Sequence, residues 1–132
     1  MEYLENKKNK SFRKKERLSS KIEIDNLFLH GKNFYSFPYK IFYVENVYKV
    51  NRVLITIPKK IYKRAVDRNL IKRRIKEAYR LNKEKINDIG QSFNIALIYS
   101  HKQKLTFQEI ERKLNLVFLK LSQNYTPVSN EK

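Results

Sequence analysis

The chain of 132 residues contains no cysteine, no tryptophan and only two glycines. The lack of cysteine excludes disulfides, thiolate nucleophiles and cysteine-based metal sites. With Gly31 and Gly90 alone, the chain cannot form a glycine-rich phosphate-binding loop. Acidic residues are also scarce, because 13 Asp and Glu oppose 30 Lys and Arg, for a net charge of +17. Such an excess indicates a polyanionic partner, and nucleic acid is the first candidate.

The composition predicts one folded domain outside the membrane. No apolar segment approaches the length of a transmembrane helix, and the first ten residues lack the apolar run of a secretory signal. We therefore expect a cytoplasmic protein without a membrane partner. A hydrophobic content of 41% suffices for one packed core in a chain of this length. The expected divisions are a flexible basic N-terminal arm at 1–17, a single nucleic-acid-binding domain at 18–123 and a frayed C-terminal tail at 124–132.

Local patterns predict helices that alternate with strands. The motifs Ser20-x-x-Glu23 and Thr106-x-x-Glu109 are capping boxes, which start helices. Gly31 is expected to end the first helix in the left-handed backbone conformation. The other predicted elements are three strands and one long helix, at 39–44, 53–57, 93–99 and 64–85. This order predicts an α/β sandwich (α+β) in which helices pack on one sheet.

The long helix carries most of the functional signal. Residues 59–80 contain ten Lys or Arg against Asp67 and Glu77 alone, over an apolar pattern with helical spacing. At about 100° per residue, the polar residues gather on one arc of the helix. We predict nucleic-acid binding by this arc and by the cations that precede it: Lys59, Lys60, Arg64, Arg68, Asn69, Lys72, Arg73, Lys76 and Arg80.

The spacing of these cations suits a nucleic-acid backbone. Successive helical turns rise about 5.4 Å, so Arg68, Lys72 and Lys76 present charges near the separation of adjacent phosphates. A solvated charged face is the alternative, but here almost no acid is present to pair the cations. Arg74 interrupts the apolar side and is expected to extend into solvent. The aliphatic residues expected to face the sheet are Ile71, Ile75 and Ala78, with Val66, Leu70 and Leu81 further round.

The run AVDRNLIKRRIKEAYR, from Ala65 to Arg80, resembles the signature helix of the bacterial ribonuclease P protein component. The preceding run at 52–60, RVLITIPKK, is similar to the family's strand that ends in a lysine pair. The resemblance covers about residues 11–122. It departs from the pattern at Leu70, where the family has an arginine, and at Arg74, where it is usually apolar. This exchange suggests that one cation has moved by a turn along the helix.

The resemblance implies the protein subunit of a ribonucleoprotein endonuclease that removes the 5′ leader from precursor tRNA. In that family the RNA subunit holds the active site and its Mg²⁺. We therefore expect no catalytic or metal-binding residue, no organic cofactor and no protein partner, while the partners are the catalytic RNA and the leader. The implied order is α-β-β-β-α-β-α, with a four-stranded sheet and a left-handed βαβ crossover. A leader cleft between the first helix and the sheet is expected to involve Phe12, Arg17, Phe28, Tyr39, Ile41 and Tyr43.

The residues themselves are consistent with an RNA active site. His30 and His101 are the only histidines, and neither has a carboxylate at metal-ligand spacing. Alternation along 39–44 forms two faces, of which we predict the first to be open to leader bases: Tyr39, Ile41 and Tyr43 on one, Lys40, Phe42 and Val44 on the other. The alternative functions are a small ribosomal or RNA-chaperone protein, and a DNA-binding protein that places the basic helix in a major groove.

Overall fold

The computed structural model describes residues 12–125, which form one four-stranded sheet with helices on both faces. After a short 3₁₀ turn at Lys14–Glu16, the helices are α1 (Lys21–His30), α2 (Ala65–Asn82), α3 (Glu84–Asn87) and α4 (Phe107–Asn124). The strands are β1 (Lys32–Ser36), β2 (Tyr39–Glu45), β3 (Arg52–Thr56) and β4 (Phe93–Tyr99). The predicted order α-β-β-β-α-β-α is confirmed, with the one-turn helix α3 as an addition. Most of the expected arm and tail, at 1–11 and 126–132, lies outside the described residues.

The sheet has the strand order β1-β2-β4-β3. β2 is antiparallel to both of its neighbours, whereas β3 and β4 are parallel. Two adjacent parallel strands need a crossover connection. The connection from β3 to β4 contains α2, which completes the expected βαβ unit. Its left-handed sense stays a prediction. β3 is an edge strand, so one side of it is available to other parts of the chain.

The sheet separates two cores. α2 and α4 pack on one face, where Ile71, Ile75 and Leu114 are fully buried. α1 packs on the other face, where Leu27 joins a smaller core with Leu18. The predicted α/β sandwich is therefore confirmed, in three layers. Within residues 12–125, no helix is both long and apolar enough to cross a membrane.

The predicted orientation of β2 is wrong. Tyr39, Ile41 and Tyr43 point into the larger core and are 0%, 0% and 7% exposed. The hydroxyl of Tyr39 donates a hydrogen bond to the carbonyl of Ile110 in α4 at 3.0 Å, and burial raises its pKa. The two long helices α2 and α4 bury more of the sheet than the ten-residue α1 does. The more apolar side of each strand therefore packs against α2 and α4. The open side of β2 is therefore its opposite face.

Two details of the helix ends also differ from the predictions. Gly31 ends α1 with a φ of −73°, so it is not in the left-handed conformation. Its lack of a side chain is needed for space, since a Cβ would lie 2.4 Å from the carbonyl oxygen of Leu27. Val66 and Leu81 do not face the sheet, because they are 63% and 37% exposed. At about 100° per residue, Val66 lies about 140° round the helix from the buried Ile71.

Candidate nucleic-acid interface

The apolar side of α2 fixes which of its residues reach solvent. Ile71, Ile75 and Ala78 are completely buried, as predicted, and Tyr79 is buried beside them. Helical geometry then turns the polar arc away from the sheet. On that arc Asn69, Lys72 and Arg73 are exposed, Arg68, Lys76 and Arg80 are half-buried, and the preceding Lys59, Lys60 and Arg64 are exposed.

Some of the predicted RNA-binding cations also have partners within the protein. The guanidinium of Arg68 donates to the backbone carbonyls of Tyr62 and Lys63 at 2.8 and 2.7 Å, and so helps to shape the turn before α2. Arg64 forms an ion pair with Asp67 at 3.1 Å. Hydrogen bonds from Arg64, and then from Lys104, lower the pKa of Asp67 to about 2.

Arg80 forms an ion pair with Glu77 at 2.6 Å, which lowers the pKa of that carboxyl. Arg64, Arg68 and Arg80 therefore contribute to the local structure as well as to the charge of the surface.

Arg74 does not extend into solvent, contrary to the prediction. Its guanidinium donates to the carbonyl of Leu105 at 2.6 Å, and the side chain is half-buried. Leu105 lies in the loop before α4, so this contact ties the basic helix to that loop. The cation at position 74 is therefore directed toward the protein.

Three neighbouring cations on α2 form a cluster that has no acidic partner within residues 12–125. In the described part of the chain, no carboxylate lies within ion-pair distance of Lys72, Arg73 or Lys76. Burial, followed by the charges of Lys72 and Arg17, lowers the pKa of Lys76. A phosphate group placed here would reduce this mutual repulsion, which is the electrostatic character of a polyanion-binding surface.

The N-terminal segment adds two predicted residues to the same surface. The Phe12 ring lies edge-on to Tyr79, with 5.5 Å between centroids, and the Arg17 guanidinium lies 5.4 Å from the Phe12 centroid. Together with Lys72 and Lys76, Phe12 and Arg17 line a cleft of about 130 Å³. Phe12 and Arg17 thus lie beside the basic helix, at the β3 edge of the sheet.

The uncovered part of the sheet carries an aromatic and cationic surface. Phe28 of α1 lies edge-on to Phe42 of β2, with 4.8 Å between centroids. The Nζ of Lys40 lies 5.6 Å from the Phe42 centroid. Phe28 is a predicted leader residue that does lie on this face. Lys40 and Phe42 also lie here, although the sequence predicts them on the face opposite the predicted open one. The available signal was their combination of charge and aromatic character, which suits single-stranded nucleic acid.

A cavity of about 580 Å³ lies between the loops that precede β3 and β4. Asn46, Asn51 and Asn87 line it, but their amides are used within the protein. Asn51 donates to Asn87 at 2.8 Å, and Asn46 donates to Asn94 at 2.9 Å. Residues 12–125 contain no group of three His, Asp or Glu that could hold a metal ion. This cavity is therefore better explained by loop packing than by ligand binding.

The fold and this surface define a small, basic α/β protein that presents a cationic helix and an aromatic sheet face. The family model for Ribonuclease P matches residues 12–122. A ribonuclease P protein component of Porphyromonas gingivalis strain W83 is 33% identical over 118 residues, which cover 84% of this chain and 86% of that protein. The corresponding protein of Clostridioides difficile strain 630 is 33% identical over 80% of this chain and 92% of its own length.

Solved structures agree with this match. The ribonuclease P protein of Thermotoga maritima aligns with a TM-score of 0.68 at 25% identity, over 85% of this chain and 99% of that one. A Staphylococcus aureus ribonuclease P protein has the same fold, with a TM-score of 0.67 at 23% identity over 84% and 98% of the two chains. The chain belongs to the ribonuclease P protein family.

Proposed function

We propose that the chain, as the protein component of ribonuclease P, binds the catalytic RNA through the basic face of α2 and holds the 5′ leader of precursor tRNA on the open sheet face. Family membership makes it the accessory subunit of an endoribonuclease that acts in tRNA 5′ processing. The observation that carries the RNA-binding assignment is the cluster of Lys72, Arg73 and Lys76, which has no acidic partner among residues 12–125.

Contacts to the catalytic RNA are proposed for the whole predicted set, with different roles within it. Lys72 and Arg73 are exposed and free of internal ion pairs in the described chain, so they are suited to direct phosphate contact. An arginine offers two parallel donors to a phosphate, whereas a lysine acts as a point charge. Lys76 is half-buried beside them and supplies a third phosphate contact. The remaining residues shape the helix start or extend the positive surface: Lys59, Lys60, Arg64, Arg68, Asn69 and Arg80.

The leader site is proposed around Phe28, Lys40 and Phe42. Aromatic rings stack on any base, and a nearby cation attracts the backbone, so this combination binds single strands with little sequence preference. Phe12 and Arg17 lie between this face and the basic helix, at the sheet edge. Their position supports contacts to either RNA. Three residues of β2 are buried and would support this surface through packing alone: Tyr39, Ile41 and Tyr43.

Magnesium is proposed to be held by the RNA subunit. Several carboxylates of the described chain are already bound to cations, as in the pairs Glu16–Lys83, Glu23–Arg52 and Arg80–Glu77. The protein would instead neutralise phosphates close to the substrate and so lower the concentration of Mg²⁺ that the RNA needs. A cytoplasmic location completes the proposal.

Reconstitution with the cognate catalytic RNA tests the proposal. Addition of the protein at low Mg²⁺ should increase kcat/KM for cleavage of precursor tRNA, and should strengthen binding of substrate that carries a leader. The control is the catalytic RNA alone at high Mg²⁺, which establishes that the RNA is folded and active. A ribosomal or RNA-chaperone protein would bind RNA with a steep salt dependence and leave both quantities unchanged. That outcome would refute the proposed function.

A further inference from the structure

A buried ion pair joins the N-terminal segment to the residue that follows α2. The Nζ of Lys83 lies 3.0 Å from both carboxylate oxygens of Glu16, and the two side chains are only 6% and 9% exposed. Transfer of two charges out of water is costly, and apolar residues of similar volume often stabilise a protein equally well. This pair therefore calls for an explanation other than stability.

The pair fixes a segment whose next residue is Arg17. The N–H of Leu18 then donates to the carbonyl of Val53 in β3 at 3.0 Å, so the segment is held on both sides of Arg17. The side chain of Arg17 is oriented further by a hydrogen bond to the carbonyl of Phe12, at 3.3 Å. These contacts leave the guanidinium at the surface, where the residue is exposed.

The position of Arg17 is electrostatically unfavourable in the free protein. It lines the same cleft as Lys72 and Lys76, and its charge contributes to the lowered pKa of Lys76. Like charges repel, so an unanchored segment would carry Arg17 away from the two lysines. An anchor buried at Glu16 opposes that movement.

We propose that the Glu16–Lys83 ion pair is a positioning device that presents Arg17, beside Lys72 and Lys76, to a phosphate of the catalytic RNA. The inference rests on the proposed function, because the phosphate is part of that RNA. A segment fixed before binding loses less conformational entropy when the RNA arrives. Glu16 acts through Arg17 and does not itself contact RNA.

The substitution Glu16→Gln separates this role from general electrostatics. It raises the net charge by one, so simple charge attraction would strengthen RNA binding and steepen its salt dependence. Loss of positioning has the opposite sign: binding weakens, and the slope of log affinity against log salt becomes shallower by about one, the value expected for one lost phosphate contact. The matched control is Asp25→Asn, which removes a carboxylate from the exposed Lys21–Asp25 pair and should not make the slope shallower.

A double-mutant cycle of Glu16→Gln and Arg17→Ala tests whether Glu16 acts through Arg17. Binding is measured with labelled catalytic RNA, and circular dichroism verifies that each variant is folded. Arg17→Ala should weaken binding in the wild-type background and have little further effect beside Glu16→Gln. The exchange Glu16→Lys with Lys83→Glu keeps the net charge and should recover most of the lost affinity. In the free protein, hydrogen exchange at the Leu18 amide should accelerate in Glu16→Gln and slow again in the exchanged pair.

Equal effects of Arg17→Ala in both backgrounds would overturn the inference. So would an Arg17→Ala variant that binds like wild type while substitution of Lys72 and Arg73 weakens binding, because the basic face would then act without Arg17. If none of these substitutions alters RNA binding, the proposed function of the basic face fails instead.

Discussion

The sharpest prediction concerns the three cations that carry the proposed RNA interface. Lys72, Arg73 and Lys76 are changed together to Ala. None of them has an acidic partner among residues 12–125, so the substitution removes charge without breaking an ion pair. Surface substitutions of this kind usually change the free energy of unfolding by no more than about 0.5 kcal/mol each. An altered RNA affinity would therefore report on the interface.

The size of the effect follows from counterion release. Each phosphate contact contributes about −0.9 to the slope of log affinity against log salt, so the loss of three makes the slope shallower by about 2.7. A salt increase from about 50 to about 200 mM then narrows the difference in affinity between wild type and variant by about 40-fold. Most of the difference in RNA affinity between the wild-type protein and the variant should thus disappear at high salt.

The assay is a titration of labelled catalytic RNA at several salt concentrations. A matched variant changes Lys32, Lys102 and Lys120 to Ala, which removes the same charge from exposed positions outside α2. We expect this control to retain most of the wild-type slope. Parallel lines for wild type and the α2 variant would refute the reasoning, and equal changes in both variants would indicate diffuse attraction by the net charge of +17.

Three further predictions follow from single contacts. Phe42→Leu should weaken holoenzyme binding to leader-carrying precursor tRNA by about 1–3 kcal/mol, the value of one stacked base, but not binding to mature tRNA; equal losses would contradict it. Arg74→Met should lower the free energy of unfolding by about 1.5–3 kcal/mol, through loss of its hydrogen bond to the Leu105 carbonyl, with an unchanged RNA salt slope; a shallower slope would place Arg74 at the RNA. Asp67 has its pKa lowered to about 2 from the ordinary 3.8, so its stabilising effect is present above about pH 4 and is lost as the pH falls toward 2. Urea unfolding between pH 6 and 2 should show a steeper loss for wild type than for Asp67→Asn, and parallel profiles would count against this ion-pair network.

Local and strongly periodic features were predictable from the sequence. The capping box of α4 forms as expected, because Thr106 and Glu109 need only each other. At α1 the Ser20 hydroxyl accepts from the Glu23 N–H, but the Glu23 carboxylate binds Arg52 at 3.0 Å instead of completing the box. A contact between residues so distant in sequence leaves no local signal.

The faces of the sheet show the same limit. Alternation along β2 correctly separates two sets of side chains, but it does not determine which set meets the larger helical layer. That choice depends on how much surface α2 and α4 must cover, which is a property of the assembled fold. The strand β1 has the residues KNFYS, whose weak alternation was insufficient for a prediction without the family resemblance.

The exchange at positions 70 and 74 is best understood through the whole interface. A cation moved by one turn along α2 would still face RNA, whereas the guanidinium of Arg74 donates to the loop before α4. Leu70 is half-buried and carries no charge, so the helix has one cation fewer on its exposed arc than the family signature would supply. Arg17 places a cation from outside the helix beside Lys72 and Lys76, in the same cleft. In the proposed interface, the anchored N-terminal segment thus adds a charge that α2 does not carry at position 70, and the Glu16–Lys83 pair would hold that charge in place.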